Sequence, residues 1–341
     1  MNITLIILTI VAVSCNNNSE KSKIVIRTIL PTTDMQIKAG DKVDFSITTK
    51  SEIDSAQLFI GGKYVATSKS GRFAYTLSKE ESIGDKSFKI VAFYKGNSGE
   101  RSSQFTVLPS FDPARSESIK IATLPHSRDS YTQGLEFYDG KLYESSGQYG
   151  ESYVKIMEFP SMKTLKRVDL EDKYFAEGIT ILNDKLYMLT WKEQKAFVFD
   201  AKSLEKIGEF DYTGQGWGLT NDGEYLYMSD GSEYIYKVDP ETFKKIGKIK
   251  VLTNKGVIYD INELEWINGK IYANVYGYDS LLVIDSDSGL VETILFCNNL
   301  LSSAKKNEDT DVFNGIAFDN RTQKLYVTGK NWPELYEIEG L

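Results

Sequence analysis

From about residue 130 onward, the hydrophobic and polar positions of this chain recur in the same order five times. A small-residue bend opens on an apolar residue: Gln133-Gly134-Leu135, Glu177-Gly178-Ile179, Trp217-Gly218-Leu219, Asn262-Glu263-Leu264 and Asn314-Gly315-Ile316. A Leu-Tyr-like strand follows each: Leu142-Tyr143, Leu186-Tyr187, Leu226-Tyr227, Ile271-Tyr272 and Leu325-Tyr326. Successive openings lie 44, 40, 45 and 52 residues apart. A repeat of ~40–50 residues holding several short strands predicts a β-propeller, here with five blades over 118–341. The last repeat has only three strands of its own, and Ser118 to Ala122 is expected to supply the fourth. That exchange shuts the ring and leaves no bare sheet edge.

Upstream, the period is that of short alternating strands. Lys42 to Ile47, Ala56 to Ile60 before Gly61-Gly62, and Ser87 to Tyr94 are examples. About seven such strands predict an immunoglobulin-like β-sandwich over 24–108, with 109–117 as a linker. The fold class is therefore all-β: a five-bladed β-propeller preceded by a small immunoglobulin-like β-sandwich. The extreme N-terminus reads as a targeting segment. Ile3 to Val13 is apolar but too short to span a bilayer, and it ends in Ala12-Val13-Ser14-Cys15 before a polar tail. The expectation is a signal peptide over 1–14, lipidation at Cys15 and a solvated tether over 15–23. The protein is then exported, held at a bacterial membrane through that lipid, and monomeric.

Charge and residue counts remove whole classes of chemistry. The formal net charge is −8 and no stretch is strongly basic, which argues against a nucleic-acid partner. With Cys15 set aside, Cys297 stands alone in the apolar stretch Ile294-Leu295-Phe296, so no internal disulfide or Cys-based metal cluster is available. The single histidine, His126, cannot build a His-rich zinc site. A Ser-His-Asp triad would have to use His126, in the loop Pro125 to Arg128, and no catalytic role is assigned to it.

A propeller carries equivalent positions of every blade to one axis, so aligned columns predict which distant residues meet. The column before the conserved-looking bend position holds Gln133, Glu177, Trp217, Asn262 and Asn314. Five residues after each Leu of the Leu-Tyr strands, a second column holds Gly147, Trp191, Gly231, Tyr276 and Lys330. A purely structural column converges on one residue type; these two hold carboxamides, a carboxylate, a cation and aromatics. Apolar walls with a few converging polar groups are what a pocket needs. The plainer reading is a water-filled channel. Glu177 among indoles is desolvated, which raises its pKa; Lys330 pushes the other way.

The segments Tyr131 to Leu135, Leu142 to Gly150, Tyr174 to Gly178, Gly216 to Leu219, Ser229 to Ser232, Ile261 to Glu265, Ala273 to Val275 and Val327 to Pro333 closely resemble the plant-type glutaminyl cyclase family. The likeness spans about 118–341. It implies a five-bladed propeller that turns the N-terminal Gln of peptides or proteins into pyroglutamate and releases ammonia, with no cofactor and no catalytic metal. It also implies Glu177 as the catalytic acid/base, with Lys330 and Asn262 stabilising an oxyanion. Tyr131, Gln133, Phe175, Trp191, Trp217 and Tyr276 would hold the substrate. Tyr131 and Tyr276 stand where the plant pattern has Phe and Trp, which implies altered substrate fit. Two other readings stay open: a non-catalytic, lipid-anchored binding propeller, and a lactonase-like hydrolase around a central calcium.

Overall fold

The computed structural model describes residues 24–340. The signal peptide, Cys15 and the tether lie outside the described residues. The chain divides into two compact units that interleave in sequence. One takes the segment up to Thr32, Asp44–Tyr75 and Ser87–Gln104; the other takes Thr33–Val43, Thr76–Lys86 and everything from Phe105.

In the first unit, Ser55–Ile60 and Lys63–Ser68 form an antiparallel hairpin across Gly61-Gly62. Both glycines have positive φ (55° and 78°), the backbone sign that two-residue hairpin turns require. Alternate residues Ala56, Leu58 and Ile60 point inward, beside Phe88, Ile90 and Ala92 of the neighbouring strand.

The second unit is the propeller. Its blades are four-stranded antiparallel sheets, each starting at the axis. The first runs Thr132–Tyr138, Lys141–Ser146, Tyr153–Glu158, Lys163–Asp169; the second Ala176–Leu182, Lys185–Thr190, Lys195–Asp200, Lys206–Asp211. The third runs Leu219–Asn221, Leu226–Ser229, Tyr234–Val238, Lys245–Lys250; the fourth Ile261–Ile267, Lys270–Val275, Ser280–Asp285, Val291–Phe296. The fifth takes Phe313–Asp319, Lys324–Gly329 and Glu334–Glu339, and Ile119–Pro125 pairs antiparallel with Glu334–Glu339 as its outer strand. Innermost strands contact in the cycle first, second, third, fourth, fifth, first, so the ring is closed.

One segment departs from the sequence reading. Ala114–Glu117, expected in the linker, runs parallel to Val291–Phe296 as a fifth strand of the fourth blade. The outer edge of a blade presents unpaired backbone groups, and a polar extended segment satisfies them as well as an apolar one. Arg115 also lies over the Phe296 ring at 5.9 Å.

The bend glycines are explained by how closely inner strands approach. A Cβ on Gly218 would fall 2.0 Å from the Asn262 carbonyl oxygen, so no side chain fits there. The fourth repeat has Glu263 at this position instead. Its carboxylate accepts the N–H of Leu135 (3.3 Å) and of Ile316 (2.9 Å), joining inner strands of the first and fifth blades. Glu265 likewise accepts from Phe318 (2.8 Å) and Glu136 from Ile181 (3.1 Å). Burial raises all three carboxyl groups above their ordinary range.

A second buried polar cluster ties the first blade to the closing strand. Glu144 meets Lys155 Nζ at 2.8 Å and His126 Nε2 at 2.9 Å, and accepts a hydrogen bond from Thr132 (2.6 Å). His126 Nδ1 lies 2.7 Å from the Trp332 carbonyl oxygen. Burial alone would raise the Glu144 carboxyl, but the charges of Lys155 and His126 and their hydrogen bonds outweigh it and hold the group far below the carboxylate range. His126 is thus a buried structural partner. Cys297 is a packed strand-end residue, 1% exposed.

Candidate active site

One cavity of about 450 Å³ opens at the axis, lined by Tyr131, Gln133, Gln148, Phe175, Glu177, Trp191, Trp217, Asn262, Tyr276 and Lys330. The nine pocket residues expected from the sequence all line it. Two local devices put them there. The residue before the bend position is the second of its inner strand (Gln133, Glu177, Asn262) or lies two residues ahead of it (Trp217), so all four enter from the axis. The turns between second and third strands deliver Gln148, Trp191, Tyr276 and Lys330 from above. Asn314, the fifth member of the first column, is buried but does not line the cavity; its Nδ2 donates to the Thr132 carbonyl (2.9 Å).

The glycines of the second column make room for neighbouring rings. A Cβ on Gly147 would sit 2.3 Å from the Phe175 ring, and one on Gly231 2.6 Å from the Trp217 ring. The same column therefore either supplies a wall residue or yields its space to one.

The walls form a continuous belt. Tyr131 meets Phe175 edge-on (centroids 6.3 Å), and Phe175 meets Trp191 (5.5 Å). Trp191 and Trp217 each donate an indole N–H to the same oxygen, Gln215 Oε1, at 2.7 and 2.9 Å. Trp217 meets Tyr276 (6.2 Å). Lys330 Nζ closes the belt, 5.4 Å from the Tyr276 ring centre and 4.8 Å from that of Tyr131. Tyr131 is held in turn by its hydroxyl, which donates to Asp311 (2.6 Å).

Inside the belt lies Glu177, 5% exposed. Among the described residues it has no ion-pair partner, and its side-chain contact is a long hydrogen bond from Gln133 Nε2 (3.4 Å). Burial drives its carboxyl well above the ordinary value; Lys330 opposes this and Glu193 adds to it. Burial also pushes the Lys330 ammonium below its ordinary range, with Glu177 and Asp311 pulling back. Acid and amine are both moved toward neutrality, the condition for exchanging a proton near neutral pH.

Among the described residues, two buried amide oxygens of the pocket residues have no partner: Gln133 Oε1 and Asn262 Oδ1. Each is a buried carbonyl oxygen that calls for an N–H donor.

Sequence reasoning missed three features. Gln148 lines the cavity with φ of 96°, a left-handed backbone that a Gln rarely adopts. Gln215 clamps the two indoles. A third repeat column, three residues after the first residue of each Leu-Tyr pair, locks the next blade in three of the five repeats: Ser145 donates to the Glu177 carbonyl (2.6 Å), Ser229 to the Asn262 carbonyl (2.7 Å), and Asn274 accepts from Gly315 (2.9 Å). The alignment that exposed the first two columns also contains this one.

A closed five-bladed propeller with a carboxyl of raised pKa in an aromatic axial cavity is the frame of a propeller enzyme working by acid–base chemistry. The glutamine cyclotransferase family profile matches residues 97–339. The chain is 38% identical over 226 residues to the glutaminyl-peptide cyclotransferase of Arabidopsis thaliana, covering 64% of this chain and 70% of that protein. It superposes on the crystal structure of Myxococcus xanthus glutaminyl cyclase with a TM-score of 0.62 and 30% identity, covering 67% of this chain and 98% of that one. The chain belongs to the glutamine cyclotransferase family.

Proposed function

We propose that this protein is a glutaminyl-peptide cyclotransferase, converting the N-terminal Gln of peptides or proteins to pyroglutamate with release of ammonia. One observation carries the reading: Glu177 is buried without an ion-pair partner, in a belt that also holds Lys330. In the reaction, the substrate α-amine attacks its own side-chain amide carbon. A C–N bond forms, the bond to the amide nitrogen breaks, and one proton travels from the attacking to the leaving nitrogen. The attack is intramolecular, so the enzyme's task is to hold a near-attack geometry and carry that proton.

Glu177 carries it. An α-amine has an ordinary pKa of ~7.7–8.0, and a carboxyl raised toward that range accepts the amine proton and returns it to departing ammonia. Lys330 faces the oxygen of the tetrahedral intermediate; losing one such donor typically costs ~2.7–4 kcal/mol. Gln133 orients the substrate amide, and Asn262 joins Lys330 in stabilising that oxyanion. Tyr131, Phe175, Trp191, Trp217 and Tyr276 surround the reacting atoms and exclude water, which strengthens every interaction with the developing charge.

The test is ammonia release from a Gln-initiated peptide, with the pyroglutamyl product identified by a mass loss of one ammonia. Turnover that is unaffected by a chelator is expected. A peptide recovered unchanged after prolonged incubation sinks the reading.

The same proposal places the enzyme at the cell envelope. The apolar run before Cys15 supports export and lipidation, and the short alternating strands between residues 24 and 108 support an immunoglobulin-like spacer. Labelling of the wild-type protein by a lipid precursor, absent in Cys15→Ala, checks the anchor.

A further inference from the structure

Among the described residues, four of the five exposed tyrosines lie in turns that carry a cavity residue or next to a residue bonded to one. They are Tyr149 (49% exposed), Tyr259 (54%), Tyr276 (42%) and Tyr278 (64%). Tyr276 belongs to both places: it lines the cavity and reaches solvent. Tyr278 shares its turn, with its N–H bonded to the Val275 carbonyl (3.0 Å). Tyr259 precedes Asp260, whose carbonyl accepts the Tyr276 N–H (2.9 Å) and whose own N–H bonds Gly231, the glycine packed on Trp217. Tyr259, Tyr276 and Tyr278 thus make one shelf on the side of the Trp217 wall, and Tyr149 stands apart against Phe175 (centroids 5.3 Å).

Exposed phenol rings are not needed for folding, and their grouping at an opening marks contact with something that passes through it. The exposed charges on the shelf are carboxylates, while the buried Lys330 lies on its cavity side, 5.4 Å from the Tyr276 ring centre. Asp260 and Asp279 are exposed on the shelf itself, and Asp311 lies behind it next to Tyr131. The exposed cation at the mouth, Lys192, is on the other wall, with Nζ 3.5 Å from the Trp191 ring centre. Aromatic faces flanked by carboxylates form a receptor for a cation: the rings offer their negative faces and the carboxylates an ion pair. A guanidinium suits both, because it is planar and weakly hydrated.

We propose that the shelf of Tyr259, Tyr276 and Tyr278, with Asp260 and Asp279, is a subsite for the residue that follows the N-terminal Gln, and that it selects a basic side chain, arginine above all. The inference rests on the cyclotransferase reading and names its substrate class. A peptide whose first side chain fills the cavity must leave through the mouth, so its second residue meets the shelf.

The experiment compares kcat/KM of the full protein on the amidated tripeptides Gln-Arg-Gly, Gln-Ala-Gly, Gln-Phe-Gly and Gln-Glu-Gly at low and high salt. One exposed cation–π contact and one surface ion pair together give about a five-fold advantage of Arg over Ala, carried in KM. Gln-Glu-Gly is expected to be the poorest substrate, and the spread to narrow with salt. Tyr278→Ala and Asp279→Asn should bring the Arg-to-Ala ratio close to one while leaving kcat/KM on Gln-Ala-Gly unchanged. Equal turnover of the Arg and Ala peptides overturns the subsite while the cyclase reading stands. So does a preference for Gln-Phe-Gly, or an Arg preference that survives both variants. Failure to cyclise any of the four peptides overturns both.

Discussion

The propeller buries two Glu–Lys combinations, and they behave in opposite ways. Glu144 and Lys155 touch at 2.8 Å, and His126 and Thr132 complete the carboxylate's shell. Glu177 and Lys330 are as deeply buried but form no ion pair, and the lysine stands over aromatic rings. In the first pair, direct contact overcomes desolvation, so the carboxyl is driven down and the lysine up. In the second, desolvation wins on both partners. Residue type and burial are shared; the gap between the groups differs. In the proposed reaction, that gap is where the substrate would sit, between two groups whose electrostatics are unmet.

The contrast can be broken most sharply at the acids. Glu177→Gln should lower kcat on a Gln-peptide by 10²-fold or more, the usual share of a general acid/base, in a protein that still folds. Its melting temperature at neutral pH should be no lower than wild type. A carboxyl whose folded pKa is raised detracts from stability above its unfolded value and has no such effect below it, so any gain should vanish below pH ~4. Near-wild-type turnover in this variant would remove Glu177 from the reaction.

Glu144→Gln should do the reverse. It strands Lys155 without its counter-charge, and breaking a buried pair in this way costs about 3–5 kcal/mol. Activity per folded molecule should hold, as measured by denaturant titration alongside turnover. Because the folded Glu144 pKa is depressed, its contribution is complete above the ordinary carboxylate value and is lost as pH falls through the depressed one. Wild-type acid unfolding should therefore be steeper than that of the variant.

A smaller effect sharpens the active pair. Glu193 raises the Glu177 carboxyl, so Glu193→Gln should move the acid limb of the kcat–pH profile to lower pH. Lys330→Met removes the opposing charge and should move that limb to higher pH, together with a loss of rate. Limbs that stay fixed in both variants would show that another group governs the profile.

The smallest effect concerns the belt. Gln215→Leu frees both indole N–H groups and should raise KM a few-fold with kcat nearly constant. It should also shift tryptophan emission, and Gln215→Glu, which keeps an acceptor oxygen, should restore both. An unchanged emission spectrum in Gln215→Leu would show that the clamp does not hold the indoles in solution.

What the sequence disclosed, and what it hid, follows from the repeat. Gln133, Glu177, Trp217 and Asn262 were readable because each sits at one position of a recurring unit, and the ring converts that position into proximity. The Glu144 cluster was not. Glu144 falls in an alternating strand where a polar residue reads as solvent-facing, and His126, which meets it, comes from the loop before the first blade. Gln215 was hidden because its partners come from different repeat columns, Trp191 from a turn and Trp217 from just ahead of an inner strand, a relation without a period. Ala114–Glu117 read as a linker because an added edge strand needs backbone groups, which every residue has, and no side-chain pattern.

The outer strand of the fifth blade comes from Ile119–Pro125, while its partner is Glu334–Glu339. A nascent chain has thus displayed one half of this seam for some two hundred residues before the other half exists. Lys330 emerges just ahead of Glu334, so the carboxyl at position 177 waits for its basic counterpart almost until the seam can be sewn. Ribosomal products that stop short of this point carry the acid, the indoles and most of the wall, but neither the lysine nor the strand that completes the ring.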